Sequence, residues 1–396
     1  LSINKQHQKG SLALSNKTEL IPFVHVLRGM APIIVVWCHL GGWWFMNAGV
    51  SYELWNVYQG TIGDGFRLKH SGAHLAVAVF FLISGYIISH VANHESQLEF
   101  IVKRAFRLLP TLFIASGLVW LGTALTSHFG WLPILGDEAK GPRDYLMTAL
   151  LLNFPVDRAP LALATTWSLW AEVIFYAIVV AIIPIIRKRP LVATWILTSV
   201  EPILVLPFHW NADLSYLGYF SIYLPLFVIG RAFYLDHQRE IGGRATLAIV
   251  AANIFILALL YEFRFPGELL QGPTEVAITY LAAIILFYAA MNAGIRSVHP
   301  VVSFFANISY ALYLVHLPIG SLVMSATFAA GLGTYPILFV GVLSSVGVAF
   351  LVTRFVERPA QRTGRSLLKH RSLRTMPTEK AGALAMVDEP TSKPLP

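Results

Sequence analysis

Apolar residues fall into long runs separated by short polar stretches, and the runs have the ~17–25 residues a helix needs to cross a bilayer. Ten are predicted, over 22–44, 71–92, 107–127, 166–186, 191–208, 213–235, 244–263, 273–293, 302–325 and 335–356. The pattern therefore predicts an all-α integral membrane protein, a bundle of about ten transmembrane helices. Residues 1–21 read as a polar N-terminal tail, 22–358 as the membrane domain and 359–396 as a basic tail. That last segment is rich in Ser, Thr, Pro, Lys and Arg without periodic apolar spacing, which predicts a disordered or loosely membrane-apposed end. The first run is too long for a signal-peptide core and has no small-residue cleavage site behind it, so it is expected to stay as a span.

Composition supports the bilayer as solvent. Of the 396 residues, 56% are hydrophobic and 13% charged, where soluble domains carry about 25% charged residues; the mean hydropathy is +0.63. One membrane domain is thus expected rather than two or three soluble ones. The net charge of +8 could suggest nucleic acid, so the placement of the charge decides. Ten spans put both termini on one side. If that side is the cytoplasm, all but six of the 29 Lys and Arg residues face inward, the exceptions being Arg67, Lys69, Lys140, Arg143, Arg158 and Arg264. This is the bias the positive-inside rule predicts for an N-in, C-in protein. No stacking-aromatic pattern of a nucleic-acid groove accompanies it, so no nucleic-acid partner is expected.

Among the ionisable residues inside the apolar runs, three are the most informative: His39 in MAPIIVVWCHL, Glu172 in TWSLWAEVIFYAI and His316 in ISYALYLVHLPI. A charge at the middle of such a helix costs roughly 2.5–3.5 kcal/mol on insertion scales, so three of them point to chemistry. Counting along the helices at ~1.5 Å per residue puts all three in the outer half of the membrane and predicts one shared polar cavity. A carboxylate there would fix the tautomer of a neighbouring imidazole and prepare a general base. Structural alternatives stand beside this reading. Either histidine could serve a cross-helix hydrogen bond, and His316, ahead of Pro318, could satisfy carbonyls freed at a kink.

Arg104 and Arg107 are three residues apart, so on a helix they share a face and could present two guanidinium forks to one polyphosphate. An ordinary positive-inside anchor is the alternative. The single cysteine, Cys38, rules out a disulfide framework within the chain. It lies about 100° round a helix from His39, so a Cys-His catalytic pair is not expected. His70 and His74 have metal-ligand spacing but only Asp64 nearby, and no metal is expected.

Taken in order, the segments resemble the membrane-bound acyltransferase 3 family. LRGMAPIIVVWCHL is similar to its first-helix motif, FFLISGYIIS to its second, RAFRLLP to its R-x-x-R and proline, TTWSLWAEVIFY to its Trp-Ser-Leu and Glu segment, ISYALYLVHLPI to its late histidine helix and RFVERPAQRTGR to its closing segment. The resemblance covers about residues 22–365. It implies transfer of an acyl group, most often acetyl, from acyl-CoA to a hydroxyl of a cell-envelope or exported glycan, at a bacterial inner membrane. Carried over residue by residue, it makes His39 the catalytic histidine, Arg104 and Arg107 the donor-binding pair, Arg28 a further essential residue, and Glu172 and His316 polar members of the site. Two departures stand out. The fourth-helix motif often has two adjacent carboxylates where this chain has Ala171 and Glu172, and Ala76 and Ala78 stand where many members have other residues.

The mechanism this implies docks the CoA phosphates at Arg104 and Arg107 and threads the thioester inward. His39, oriented by Glu172 or His316, then deprotonates an acceptor hydroxyl or becomes acylated itself. The alternative from another class is a transporter or flippase using the buried His and Glu residues as a proton relay. It expects inverted repeats, which the sequence lacks, and leaves Arg104 and Arg107 without a role.

Overall fold

The computed structural model describes residues 21–139, 141–153, 160–210, 215–264 and 275–374. The polar N-terminal tail, the end of the basic tail beyond Arg374, and the outer-loop residues Lys140 and Arg158 lie outside the described residues. Ten helices correspond one to one to the predicted runs: α1 (Pro22–Asn47), α2 (Ala73–His94), α3 (Gln97–Phe129), α4 (Thr166–Lys188), α5 (Pro190–Trp210), α6 (Leu217–His237), α7 (Gly243–Arg264), α8 (Glu275–Asn292), α9 (Pro300–Ala329) and α10 (Thr334–Val352). Nine of the described helices are long and apolar enough to cross a membrane, and α5 is apolar but shorter over its described side chains. The protein is an all-α, multi-pass membrane protein.

Side-chain placement follows from the bilayer. Leu247 and Phe255 on α7, Ile285 on α8 and Phe339 on α10 are largely exposed, as lipid-facing residues are, whereas α6 and α9 are mostly enclosed. Between helices, packing and hydrogen bonds replace the hydrophobic drive that lipid removes. Small residues let α1 and α9 touch. A Cβ on Gly29 would lie 2.4 Å from the Val302 carbonyl oxygen, and one on Gly320 would lie 2.5 Å from Leu40 Cδ1.

Cross-helix contacts fix the relative directions. His25 pairs with Ser303, Arg28 with Ser309 and His39 with His316, so α1 and α9 run parallel, as two odd-numbered spans must. Ser84 with Glu172, and Ala92 with Arg187, make the even-numbered α2 and α4 parallel as well. One end of the bundle gathers Arg28, Arg104, Arg107 and Arg187 and is called the basic end below.

The closing segment departs from expectation. Instead of a loose tail from residue 359, the chain forms helix α11 (Arg358–Arg374), joined to α10 by a π-helical turn over Thr353–Glu357. Its less exposed positions, half-buried Ala360 and Leu368 and buried Gly364, recur every four residues on the side that packs on α3, with Gly364 set against Phe106. Tertiary contact along one face, not apolar content, makes this helix.

Candidate active site

The seam between α1 and α9 carries the site. His39 lies in a π-helical stretch, Trp37–Trp43, that continues α1 without a break; such stretches frequently occur at functional sites. His39 Nδ1 is 2.8 Å from His316 Nε2. The ring centroids are 5.1 Å apart and the planes differ by 15°, so the imidazoles meet edge to edge and nearly coplanar. His316 is fully buried and its Nδ1 is 3.0 Å from the Leu312 carbonyl oxygen.

These contacts dictate the tautomers. A carbonyl oxygen only accepts, so His316 Nδ1 carries the hydrogen and donates it to Leu312. In a neutral imidazole Nε2 is then an acceptor, so His39 Nδ1–H donates to it. The lone pair of His39 Nε2 is left free, on a side chain that is only half-buried. A neutral, oriented imidazole with an open Nε2 is the arrangement a general base needs. The carbonyl that His316 engages is not that of Leu314, four residues before Pro318, so the kink-satisfying alternative does not describe it.

Glu172 is not where helix counting predicts. Its Oε1 accepts from Ser84 Oγ at 2.9 Å and from the Tyr176 hydroxyl, and it bonds to neither histidine. The reason lies in the approach to α4. Ala162, Leu163, Thr165 and Thr166 are buried, so α4 starts inside the bundle rather than at the membrane surface. Ser168 Oγ is 2.8 Å from the Tyr313 hydroxyl, and Tyr313 sits one turn from His316. The beginning of α4 is therefore level with the histidines, and Glu172 falls about a turn further toward the basic end. His316, not Glu172, orients His39.

At the basic end the charges converge without closing into pairs. Arg28 Nε donates to Ser309 Oγ at 2.9 Å. Arg107 is in Coulomb range of Arg28, Glu172 and Glu357. The Arg104 guanidinium lies 5.5 Å from the Phe100 ring centroid and 5.9 Å from that of Tyr176. Arg104 and Arg107 thus do face one region, as their spacing predicts, but Arg104 is held through aromatic faces and its buried Nε has no partner. Among the described residues these three arginines form no ion pair within 4.0 Å, and Arg107 makes no hydrogen bond. Three guanidinium groups against two carboxylates, with forks left open, form a site for an anion.

Several members carried no sequence flag of their own. Tyr310, Tyr313 and His316 recur every three residues, and Tyr176 follows Glu172 by four, so each lies on the helix face of a flagged residue. That spacing was the available signal. Glu357, buried and bonded to Gln361 Nε2 at 3.0 Å, stands between Arg354 and Arg358 and so reads from sequence as part of a surface charge cluster. Cys38 is buried with its Sγ 3.3 Å from the Ser71 carbonyl oxygen, a packing role. His70 and His74 stack at 4.8 Å, and His74 Nδ1 is 3.3 Å from the Tyr280 hydroxyl.

A paired, oriented imidazole and a cluster of arginines along one seam of a membrane-embedded helical bundle are the kind of site a membrane group-transfer enzyme needs. The family model described as "Acyltransferase domain" matches residues 21–354, and the chain belongs to that acyltransferase 3 family. It is 28% identical over 320 residues to the exopolysaccharide production protein ExoZ of Rhizobium meliloti, covering 77% of this chain and 93% of that one. It is 25% identical to the O-acetyl transferase of Shigella phage Sf6, covering 71% and 82%, and 24% identical to nodulation protein 10 of Rhizobium leguminosarum bv. viciae, covering 74% and 84%. No solved structure is significantly similar. The chain is an acyltransferase, and the transporter alternative falls away.

Proposed function

We propose that this enzyme transfers an acyl group, acetyl foremost, from acyl-CoA on the cytoplasmic side of a bacterial inner membrane to a hydroxyl of a cell-envelope or exported glycan. The names of its relatives, exopolysaccharide production protein and O-acetyl transferase, support the acceptor class. The charge bias of the loops supports the N-in, C-in orientation, which makes the basic end cytoplasmic. The observation that carries the reading is the His39–His316 pair, with its free Nε2 directed away from the pairing edge.

The donor phosphates bind at Arg28, Arg104 and Arg107, with Glu172 and Glu357 spacing the cations. From Arg28 to His39 is eleven residues, ~16 Å along the helix, comparable to the reach of an extended pantetheine arm. The thioester then lies at the histidine level. His39 Nε2 takes the proton of the acceptor hydroxyl as its oxygen attacks the thioester carbonyl. The positive charge that forms on His39 is shared through Nδ1–H with His316. Collapse of the tetrahedral intermediate breaks the C–S bond, and the departing thiolate takes the proton from His39 to leave as CoA thiol. The ester product and the neutral tautomer pair are restored together.

The test is purified protein in proteoliposomes with labelled acetyl-CoA and envelope glycan. Label is expected in ester linkage with matching release of CoA thiol, and His39→Ala is expected to abolish both. Full transfer by His39→Ala would overturn the assignment. Mass spectrometry of envelope glycans from a deletion strain identifies the acceptor.

A further inference from the structure

Two histidines that the mechanism leaves unused form a file of rings beside it. His70, His74 and Trp167 stack in that order, with centroids 4.8 Å and 5.7 Å apart and neighbouring planes 23° and 22° from parallel. His70 is exposed, and His74 and Trp167 are half-buried, as His39 is. The file therefore runs from the surface into the bundle. Because the rings cover one another's faces, they offer a ligand their nitrogen-bearing edges.

Two anchors set its depth. The Ser71 carbonyl oxygen accepts from the Tyr58 hydroxyl at 2.7 Å and from Cys38 Sγ at 3.3 Å, and Cys38 is the chain neighbour of His39. At the inner end Ser168, next to Trp167, bonds the Tyr313 hydroxyl, one turn from His316. His39 is in Coulomb range of both His70 and His74. The file thus ends level with the paired imidazoles. It lies on the side away from the arginines, since His74 precedes Ser84, the partner of Glu172, by ten residues or ~15 Å along α2. The approach is also held at a conformational cost. His70 and Ser71 are consecutive non-glycine residues with φ of +48° and +57°, a left-handed region that such residues rarely adopt and that clusters at ligand sites.

The nitrogens decide the ligand. His74 Nδ1 is 3.3 Å from the Tyr280 hydroxyl, whereas His74 Nε2 and the Trp167 indole N–H have no hydrogen-bond partner among the described residues. An indole N–H removed from bulk water usually finds an acceptor. With His39 Nε2, three ring nitrogens on half-buried side chains are left open at one level of the bundle. A cation does not fit them. Asp64, the carboxylate nearest in sequence, accepts from Gln59 Nε2 at 2.7 Å, and no metal-binding group of three exists among the described residues. Neutral ring nitrogens that donate or accept match hydroxyl groups, which do both. A few such polar atoms set among aromatic rings are the usual make-up of a site for a neutral small ligand.

We infer that His70, His74 and Trp167 form the acceptor subsite, where a sugar residue of the glycan is held by its hydroxyls so that one of them reaches His39 Nε2 from the side opposite the arginines. This rests on the glycan-acceptor reading above and gives that acceptor its place. Donor and acceptor then enter from opposite ends and meet at one atom.

The experiment measures, for the full chain in proteoliposomes with saturating labelled acetyl-CoA, the KM for deacetylated envelope polysaccharide from a deletion strain. Equilibrium CoA binding is measured on the same preparations. His74→Phe and Trp167→Phe keep an aromatic ring while removing the open nitrogens. Each is expected to raise the polysaccharide KM about 3–10-fold, the size of one neutral hydrogen bond, and the double variant about 10–100-fold. CoA affinity is expected to stay within about twofold of wild type. His74→Gln, whose amide donates and accepts, is expected to keep most of the polysaccharide affinity. An unchanged KM in the double variant, or a fall in turnover alone, overturns the inference while leaving the acceptor reading intact. CoA affinity that falls in step with the rise in KM shows a structural role and also overturns it. Wild-type protein that transfers no acetyl to the polysaccharide overturns the acceptor reading itself, and the subsite with it.

Discussion

The two ends of the α1–α9 seam are built on opposite principles. At the histidine end every donor is assigned: His316 gives its hydrogen to Leu312, His39 gives its hydrogen to His316, and one lone pair remains. At the arginine end cations crowd together, and among the described residues Arg107 makes no hydrogen bond and the buried Arg104 Nε has no partner. The first region is preorganised for a reaction at one atom. The second gathers more guanidinium groups than carboxylates, which suits an anionic ligand. In the proposed mechanism, chemistry and donor binding are thus separated by about three helical turns on α1.

Substitutions at the two ends should separate rate from affinity. The largest effect is expected for His39→Ala, which removes the base and should lower the turnover number by about 10²–10⁴-fold in a labelled-acetyl transfer assay. Next, Arg28→Ala/Arg107→Ala should weaken acyl-CoA binding by about 10–100-fold, the range of hydrogen bonds to charged groups, as measured by calorimetry. A donor affinity unchanged in that variant would remove the arginine end from the account. His316→Leu keeps the base but leaves its Nδ1–H without an acceptor and its tautomer free. A loss of about tenfold or more in turnover is expected, with KM for the donor nearly unchanged. Smallest is Glu172→Gln, which preserves the contacts to Ser84 and Tyr176 and should alter donor affinity a few-fold without changing turnover. If Glu172→Gln instead matched His39→Ala in turnover, Glu172 would belong to the histidine end after all.

The last of these shows what the sequence could and could not carry. All ten predicted runs form helices, nine of them among the described residues long and apolar enough to cross a membrane, and they were legible because a bilayer enforces run length directly. His39 and His316 were legible because an ionisable residue in such a run is costly, and helix counting put them at one level correctly. The same counting misplaced Glu172, since it takes each helix to begin at the membrane surface, and α4 begins deeper, after the buried stretch Ala162–Thr165. The pairing of His39 with His316 rather than with a carboxylate was not legible either. It depends on a π-helical stretch in α1, whose register no periodicity reveals. Helix α11 was hidden because its one packed face rests on small residues, chiefly Gly364, whose partner Phe106 is far away in sequence.

The separation of chemistry from donor binding is tested most directly by measuring equilibrium CoA binding and single-turnover acetyl transfer on the same preparations of His39→Ala and Arg28→Ala/Arg107→Ala. The account predicts a crossed result: His39→Ala binds CoA within about twofold of wild type and transfers nothing measurable, whereas the arginine variant binds weakly and recovers transfer as donor is raised. Loss of binding in His39→Ala, or loss of transfer in the arginine variant that saturating donor does not restore, would contradict it.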